Sequence, residues 1–203
     1  MILFASGRTD IPAFYSNWFI NRVEAGFVDV RNPFNQKLVS RIYFSDVDLI
    51  MFCSKNPLPM INKLDILKVP VLFHVTITPY GKDVEPNIPD KRLIIEGVKK
   101  LSLVLGIDNV VVRYDPIFLS DKYNVDYHIK AFDKLCKNLN GYVNKIIVSF
   151  MDEYKNVRNN RNVLKYKCFT DNDYKNIGLS FSKIAKRHGM KIYTCSEEHN
   201  LVE

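Results

Sequence analysis

Little in this chain speaks for metal or disulfide chemistry. Its four cysteines, Cys53, Cys136, Cys168 and Cys195, are scattered through 203 residues. They form no CxxC pair and no close trio, so no zinc or iron–sulfur motif is written in the sequence and no iron–sulfur cluster is expected. No GxGxxG follows an apolar run, which argues against a dinucleotide fingerprint. No apolar run approaches the roughly 18 residues of a membrane span. The apolar start at 1–5 is broken by Arg8 and Asp10 before it can read as an export signal. Internal repeats and low-complexity linkers are also lacking. A cytoplasmic location, reduced thiols and no membrane partner are therefore expected.

What is present suits a globular protein. Hydrophobic residues make up 47% and charged residues 25%, which with this length predicts one domain over 1–203. Lys and Arg number 29 against 22 Asp and Glu, a net charge of +7 that favours anionic partners. Part of the excess lies in two stretches, Lys155, Arg158, Arg161, Lys165 and Lys167, then Lys183, Lys186, Arg187 and Lys191. Solvated helix and loop faces account for both; a nucleic-acid surface is the sharper alternative.

Apolar, β-branched runs predict strands at 2–6, 27–31, 48–53, 69–77, 109–114, 145–150 and 191–195, with 38–44 pairing antiparallel to 27–31. DLIMFC, VPVLFHVTI, NVVVRY and KIIVSF read as strands buried on both faces. Helices are expected at 12–25, 90–105, 126–139 and 172–188, three of them stopping at Gly26, Gly106 and Gly189. In the first, Phe14, Trp18, Phe19 and Val23 form the face expected to pack on the sheet. The stretch 151–171 reads as a loop. Alternating strands and helices predict an α/β fold with a parallel sheet, a partial or complete (β/α) barrel of the TIM type with the first strand central.

The polar residues gather at strand ends. The first strand runs into Ser6-Gly7-Arg8-Thr9-Asp10, the second into Arg31-Asn32-Pro33, and the next into Ser54-Lys55-Asn56-Pro57. His74, Thr76, Thr78 and Tyr80 follow along the fourth, Arg113 and Asp115 end the fifth, and Ser149, Cys195 and Glu197 close the last two. In a parallel sheet these ends share one rim, so a pocket is predicted there. Each residue also has a plainer role. Asp10 or Thr9 serves as a helix cap, Asn-Pro and Asp-Pro start turns, and His74 suits a hydrogen-bonded core position. Arg8, Lys55 and Arg113 fit a phosphate or carboxylate if unpaired, and are scaffold if Asp or Glu neutralises them.

The motifs SGRTDIPAFYSNWF, VRNPFN, SKNPLPM, TITPYGKDVEPN, VVRYDPI, LSDKYNVDYH and TCSEE occur in this order. Together they resemble the bacterial family called domain of unknown function 1848 over nearly the whole chain. The resemblance places Ser6, Arg8, Thr9, Asp10, Asn32, Lys55, Asn56, Thr78, Tyr80, Arg113, Asp115, Cys195 and Glu197 at family motif positions. It implies a partial TIM-type barrel related to radical S-adenosylmethionine enzymes, with S-adenosylmethionine as the implied cofactor. Members continue past TCSEE into a cysteine cluster. This sequence stops at Glu203 before one, as a truncated product or a natural short variant, so radical chemistry by it alone is not expected. Three readings remain: an enzyme domain whose rim binds a small anionic or nucleotide-like ligand, a non-catalytic protein that sequesters such a ligand, and a basic nucleic-acid-binding protein.

Overall fold

A computed structural model describes residues 1–195. Six strands, β1 (Ile2–Phe4), β4 (Leu49–Ser54), β5 (Val71–Thr76), β6 (Val110–Ile117), β7 (Lys145–Phe150) and β8 (Lys191–Thr194), form one parallel sheet in that order. The remaining two, β2 (Phe27–Arg31) and β3 (Val39–Tyr43), form the expected antiparallel hairpin. The parallel α/β class expected from sequence is present. The sheet is open, however, with no closure into a barrel among the described residues. Its first strand is an edge, not the centre, because β1 pairs with β4 alone and the intervening hairpin makes a separate sheet.

The helices are α1 (Ile11–Phe14), α2 (Ser16–Glu24), α3 (Leu58–Ile61), α4 (Lys91–Leu105), α5 (Val125–Leu139), α6 (Lys155–Asn159), α7 (Arg161–Leu164) and α8 (Asp171–Arg187). Local chemistry sets their ends. Asp90 caps α4 through the Arg92 amide and Asn124 caps α5 through that of Tyr127, while Thr170 and Asp173 close a capping box on α8. Gly97 lets α4 lie close on α3, since a Cβ there would stand 2.8 Å from Leu58 Cδ2. No helix among the described residues is long and apolar enough to cross a membrane.

The helix expected at 12–25 breaks at Tyr15, and its buried stripe differs from the expected one. Phe19 is buried as expected, but Phe14 is 75% and Trp18 45% exposed. The buried residues are Ile11, Pro12, Ser16, Phe19 and Ile20, and Val23 packs half-buried against the core as expected. Ser16 tolerates burial because its hydroxyl accepts a hydrogen bond from Lys63 Nζ at 2.9 Å. The stretch 151–171 is also more ordered than a loop: it holds α6 and α7, buries Tyr166, and bonds Lys167 N to Leu119 O at 2.7 Å.

One face of the sheet carries the core. Ile50, Phe52, Phe73, Val75, Val112, Tyr114, Ile146 and Val148 pack there against α1, α2, α3, α4, α5 and α8. Burial on both faces, expected from the apolar runs, forms only in the central strands, at Phe73–Val75 of β5 and Val110–Val112 of β6. Along β4 and β7 buried and half-buried residues alternate strictly. The second face presents Phe4, Met51, Cys53, Leu72, His74, Thr76, Val111, Arg113 and Ile147, in register across five strands, and none of them joins an apolar core cluster. Residues at its edges, Ile2, Phe4 and Tyr193, are exposed, whereas the central ones are half-buried or buried. These side chains lie on the face opposite the helix-packed core.

Candidate functional site

The carboxyl ends of the strands bring two polar clusters to one rim. The first is built on Asp10 and Glu85. Asp10 Oδ1 caps α1 by accepting from Ala13 N at 3.0 Å, and its Oδ2 accepts from Lys55 N at 2.8 Å. One carboxylate thus ends β1, starts a helix and fixes the turn after β4. Glu85 then takes Lys55 Nζ on one oxygen and Lys91 Nζ on the other, and Thr78 Oγ1 donates to it at 2.6 Å. Burial pushes the Glu85 carboxyl up, but the hydrogen bonds from Lys55, Lys91 and Thr78 outweigh it and hold the group below its ordinary value. Two ammonium groups share the Glu85 carboxylate, and with Asp10 beside them the cluster's formal charge is balanced.

The second cluster belongs to β6, β7 and the end of β8. Arg113 donates to Asp115 Oδ2 through Nε at 2.9 Å and through Nη2, while Ser149 Oγ donates to Asp115 Oδ1. A side-chain hydrogen bond to Cys195, together with the one to Asp115, raises the Arg113 pKa against the opposing effect of burial. A cavity of about 330 Å³ opens here, lined in part by Arg113, Asp115, Ser149, Asp152, Tyr154 and Cys195. Between the clusters lies Cys53. Burial is the main force raising its pKa; the charges of Arg113, Asp10 and Asp115 also act on it, and Thr76 hydrogen-bonds it.

His74 lies one step below this band, paired in register with Cys53. It is 8% exposed, and its Nδ1 is buried with no hydrogen-bond partner. Burial, assisted by the Arg113 cation, pushes its pKa down to about 4, so the imidazole is neutral. His128 is pushed down to about 4 by burial as well, but its ring is satisfied: Nδ1 meets Tyr114 Oη at 3.0 Å and Nε2 meets Phe118 O at 2.9 Å. His128 is thus satisfied within the fold, whereas His74 Nδ1 has no partner among the described residues.

The other expected site residues divide. Ser6 Oγ is buried beside the rim without a partner. Arg8 turns outward and donates to Arg31 O at 2.5 Å, tying the first rim loop to the hairpin. Thr9 is exposed, and its carbonyl accepts from Ile11 N. Asn32 shapes the hairpin turn by accepting from Phe34 N and Asn35 N, and Asn56 accepts from Leu58 N at the start of α3. Tyr80 is buried, with its hydroxyl donating to Pro116 O at 2.8 Å and accepting from Phe118 N at 2.9 Å. Glu197 lies outside the described residues. Sequence reasoning missed Glu85 and Lys91, although Glu85 sits within TITPYGKDVEPN between Gly81 and Pro86. A lone glutamate in a surface loop gives no sign that two lysines will converge on it.

Replacing Glu85 by Gln is expected to cost about 1–3 kcal/mol, because two partly buried ammonium groups lose their shared counter-charge. The Lys55 side chain is 40% exposed, which keeps the cost toward the lower part of that range. Chemical denaturation at neutral pH measures it, and a variant as stable as the parent would show that the cluster contributes no net stability.

The cysteines do not fit an iron–sulfur cluster among the described residues. Cys136 is in the core with its pKa pushed up to about 12 by burial, Cys168 is exposed, and Cys53 and Cys195 lie on separate strands' ends. No three His, Cys, Asp or Glu side chains among these residues are placed to hold a metal ion. The basic stretches are partly neutralised: Lys167 pairs with Asp121 and Arg187 with Asp133.

Fold and rim together define an α/β fold with a six-stranded parallel sheet, helices packed on one face and polar side chains at the carboxyl ends of its strands. The chain belongs to the family described as Domain of unknown function (DUF1848), whose family model matches residues 2–203. No curated protein and no solved structure matches it.

Proposed function

We propose that this chain is a small-molecule-binding domain of the (β/α)-barrel type, an enzyme domain, which takes an anionic or nucleotide-like ligand at the carboxyl-end rim of the sheet face opposite the core. The barrel reading is supported by the strand order, in which every sheet neighbour is the next parallel strand of the chain. The observation that carries the ligand reading is the buried, unpartnered Nδ1 of His74 beneath a band of polar side chains from several strands. Such an atom costs free energy unless water or a ligand satisfies it.

The clusters divide the work of binding. The ligand's anionic end lies toward the ammonium groups of Lys55 and Lys91, which share the Glu85 carboxylate. Arg113 and Asp115 neutralise each other and orient the ligand through their remaining hydrogen-bonding capacity, with Ser149 fixing the carboxylate. Neutral His74 exchanges one hydrogen bond with the ligand's buried end. Asp10 and Asn56 position the loops that carry these groups.

The test measures binding of AMP, ATP and S-adenosylmethionine to the parent, His74→Leu, Lys55→Ala and Arg113→Ala by calorimetry. At least one probe is expected to saturate the parent and to bind each folded variant about tenfold or more weakly, the worth of one lost polar contact. A probe that saturates all three variants as it does the parent would remove the rim from the binding site.

A further inference from the structure

We propose a second binding site, the crevice between α4 and α5, for a small organic monoanion with an apolar body of about phenyl size. Its origin lies in how the two helices choose their neighbours. On one side α4 settles onto α3 through Gly97. On the other, α5 is drawn to α8, where Phe132 and Phe181 stack at 3.8 Å. Between them α5 turns the small Ala131 toward α4, flanked by Tyr127, Lys134 and Leu135, and a cavity of about 250 Å³ remains. An engineered cavity of roughly 150 Å³ suffices for benzene.

The lining specifies the ligand's chemistry. Ile77, Ile95, Tyr114 and Leu135 give an apolar floor. The polar side chains nearby have partners elsewhere, Tyr114 Oη on His128 Nδ1 at 3.0 Å, Tyr127 Oη on Pro79 O at 2.8 Å and Thr78 Oγ1 on Glu85, while Asn138 is exposed and donates to Lys134 O. At the mouth stand Lys91, Arg92 and Lys134, and no carboxylate lines the crevice. Lys134 makes no ion pair among the described residues, whereas Arg92 pairs with Asp90 and Lys91 with Glu85. An apolar interior under an uncompensated cationic mouth selects an apolar body with one negative charge. The crevice shares Lys91 and Thr78 with the rim cluster, but neither His74 nor Arg113 lines it, so variants of those two residues separate this proposal from the rim reading.

The experiment titrates the parent with 3-phenylpropionate, its alcohol 3-phenylpropanol and inorganic phosphate, reading calorimetric heat and amide chemical shifts on α4 and α5. Saturable binding of the carboxylate is expected, with the alcohol about tenfold weaker and phosphate without effect, since charge and apolar body are both required. Ala131→Phe, which fills the crevice, should abolish binding. Lys134→Glu, a surface change that leaves the core intact, should weaken it about tenfold. His74→Leu and Arg113→Ala should leave it unchanged. Absence of saturable binding to the parent at millimolar carboxylate overturns the proposal. So does undiminished binding by Lys134→Glu, or loss of binding in His74→Leu, which would place the probe at the rim.

Discussion

Phe132→Ala is expected to destabilise the protein by about 3–5 kcal/mol, a large part of the roughly 5–15 kcal/mol that holds a domain folded. Its ring is fully buried, stacks face to face on Phe181 at 3.8 Å, and meets the Tyr114 ring edge-on at 5.5 Å. Tyr114 in turn meets Phe181 edge-on at 5.4 Å, so three rings fix α5 and α8 against β6 as a unit. Truncation leaves a void bounded by two aromatic rings and the sheet, which cannot collapse without moving a helix. Trp18→Ala is the control. It removes a larger side chain, but one that is 45% exposed on the outer side of α2, and should cost less than about 1 kcal/mol. Chemical denaturation followed by far-ultraviolet circular dichroism compares the two without relying on the single tryptophan. Equal midpoint shifts would mean that the core does not sit where these rings meet.

The contrast between Phe132 and Trp18 marks where the sequence was legible. Strand and helix order could be read because periodicity and terminators agree: Gly106 and Gly189 follow α4 and α8, and the alternation of 38–44 fits a hairpin with β2. Arg113 and Asp115, two apart on one strand, had to share a face, and they do. In α1 and α2 two stripes competed. Large Phe14 and Trp18 suggested one, but the stripe through Pro12, Ser16, Phe19 and Ile20 is buried because Lys63, from a distant turn, satisfies Ser16. DLIMFC reads as apolar throughout, yet only every second residue enters the core, since helices cover a single face and sequence does not say which face they choose. The site follows the same division. The presence of Lys55, Thr78, Arg113 and Asp115 near the strand ends was readable; their partners Glu85 and Lys91 were not.

Acid should unfold this protein through its histidines before its carboxylates. His74 and His128 are both pushed from 6.5 down to about 4, chiefly by burial, so the native state keeps them neutral at a pH where the unfolded chain has already protonated them. The unfolded state then binds more protons, and unfolding free energy falls as pH falls. The stability is fully present above pH 6.5 and is lost progressively down to about 4. That interval corresponds to about 3 kcal/mol for each histidine. Glu85, held below its ordinary 4.5, adds its loss at lower pH. Denaturation series at pH 7, 6, 5 and 4.5 should therefore show uptake of about two protons on unfolding near pH 5. His128→Phe forfeits the bonds to Tyr114 and Phe118 and is less stable throughout, but its proton uptake should fall to about one. His74→Leu should show the same reduced uptake with little loss of stability at pH 7, because the nitrogen it removes has no partner to leave behind. Unfolding free energy that stays level from pH 6.5 to 5 would show that both rings reach solvent. A marked loss of neutral-pH stability in His74→Leu would instead give His74 a bonded structural role and undercut its place on the floor of the site.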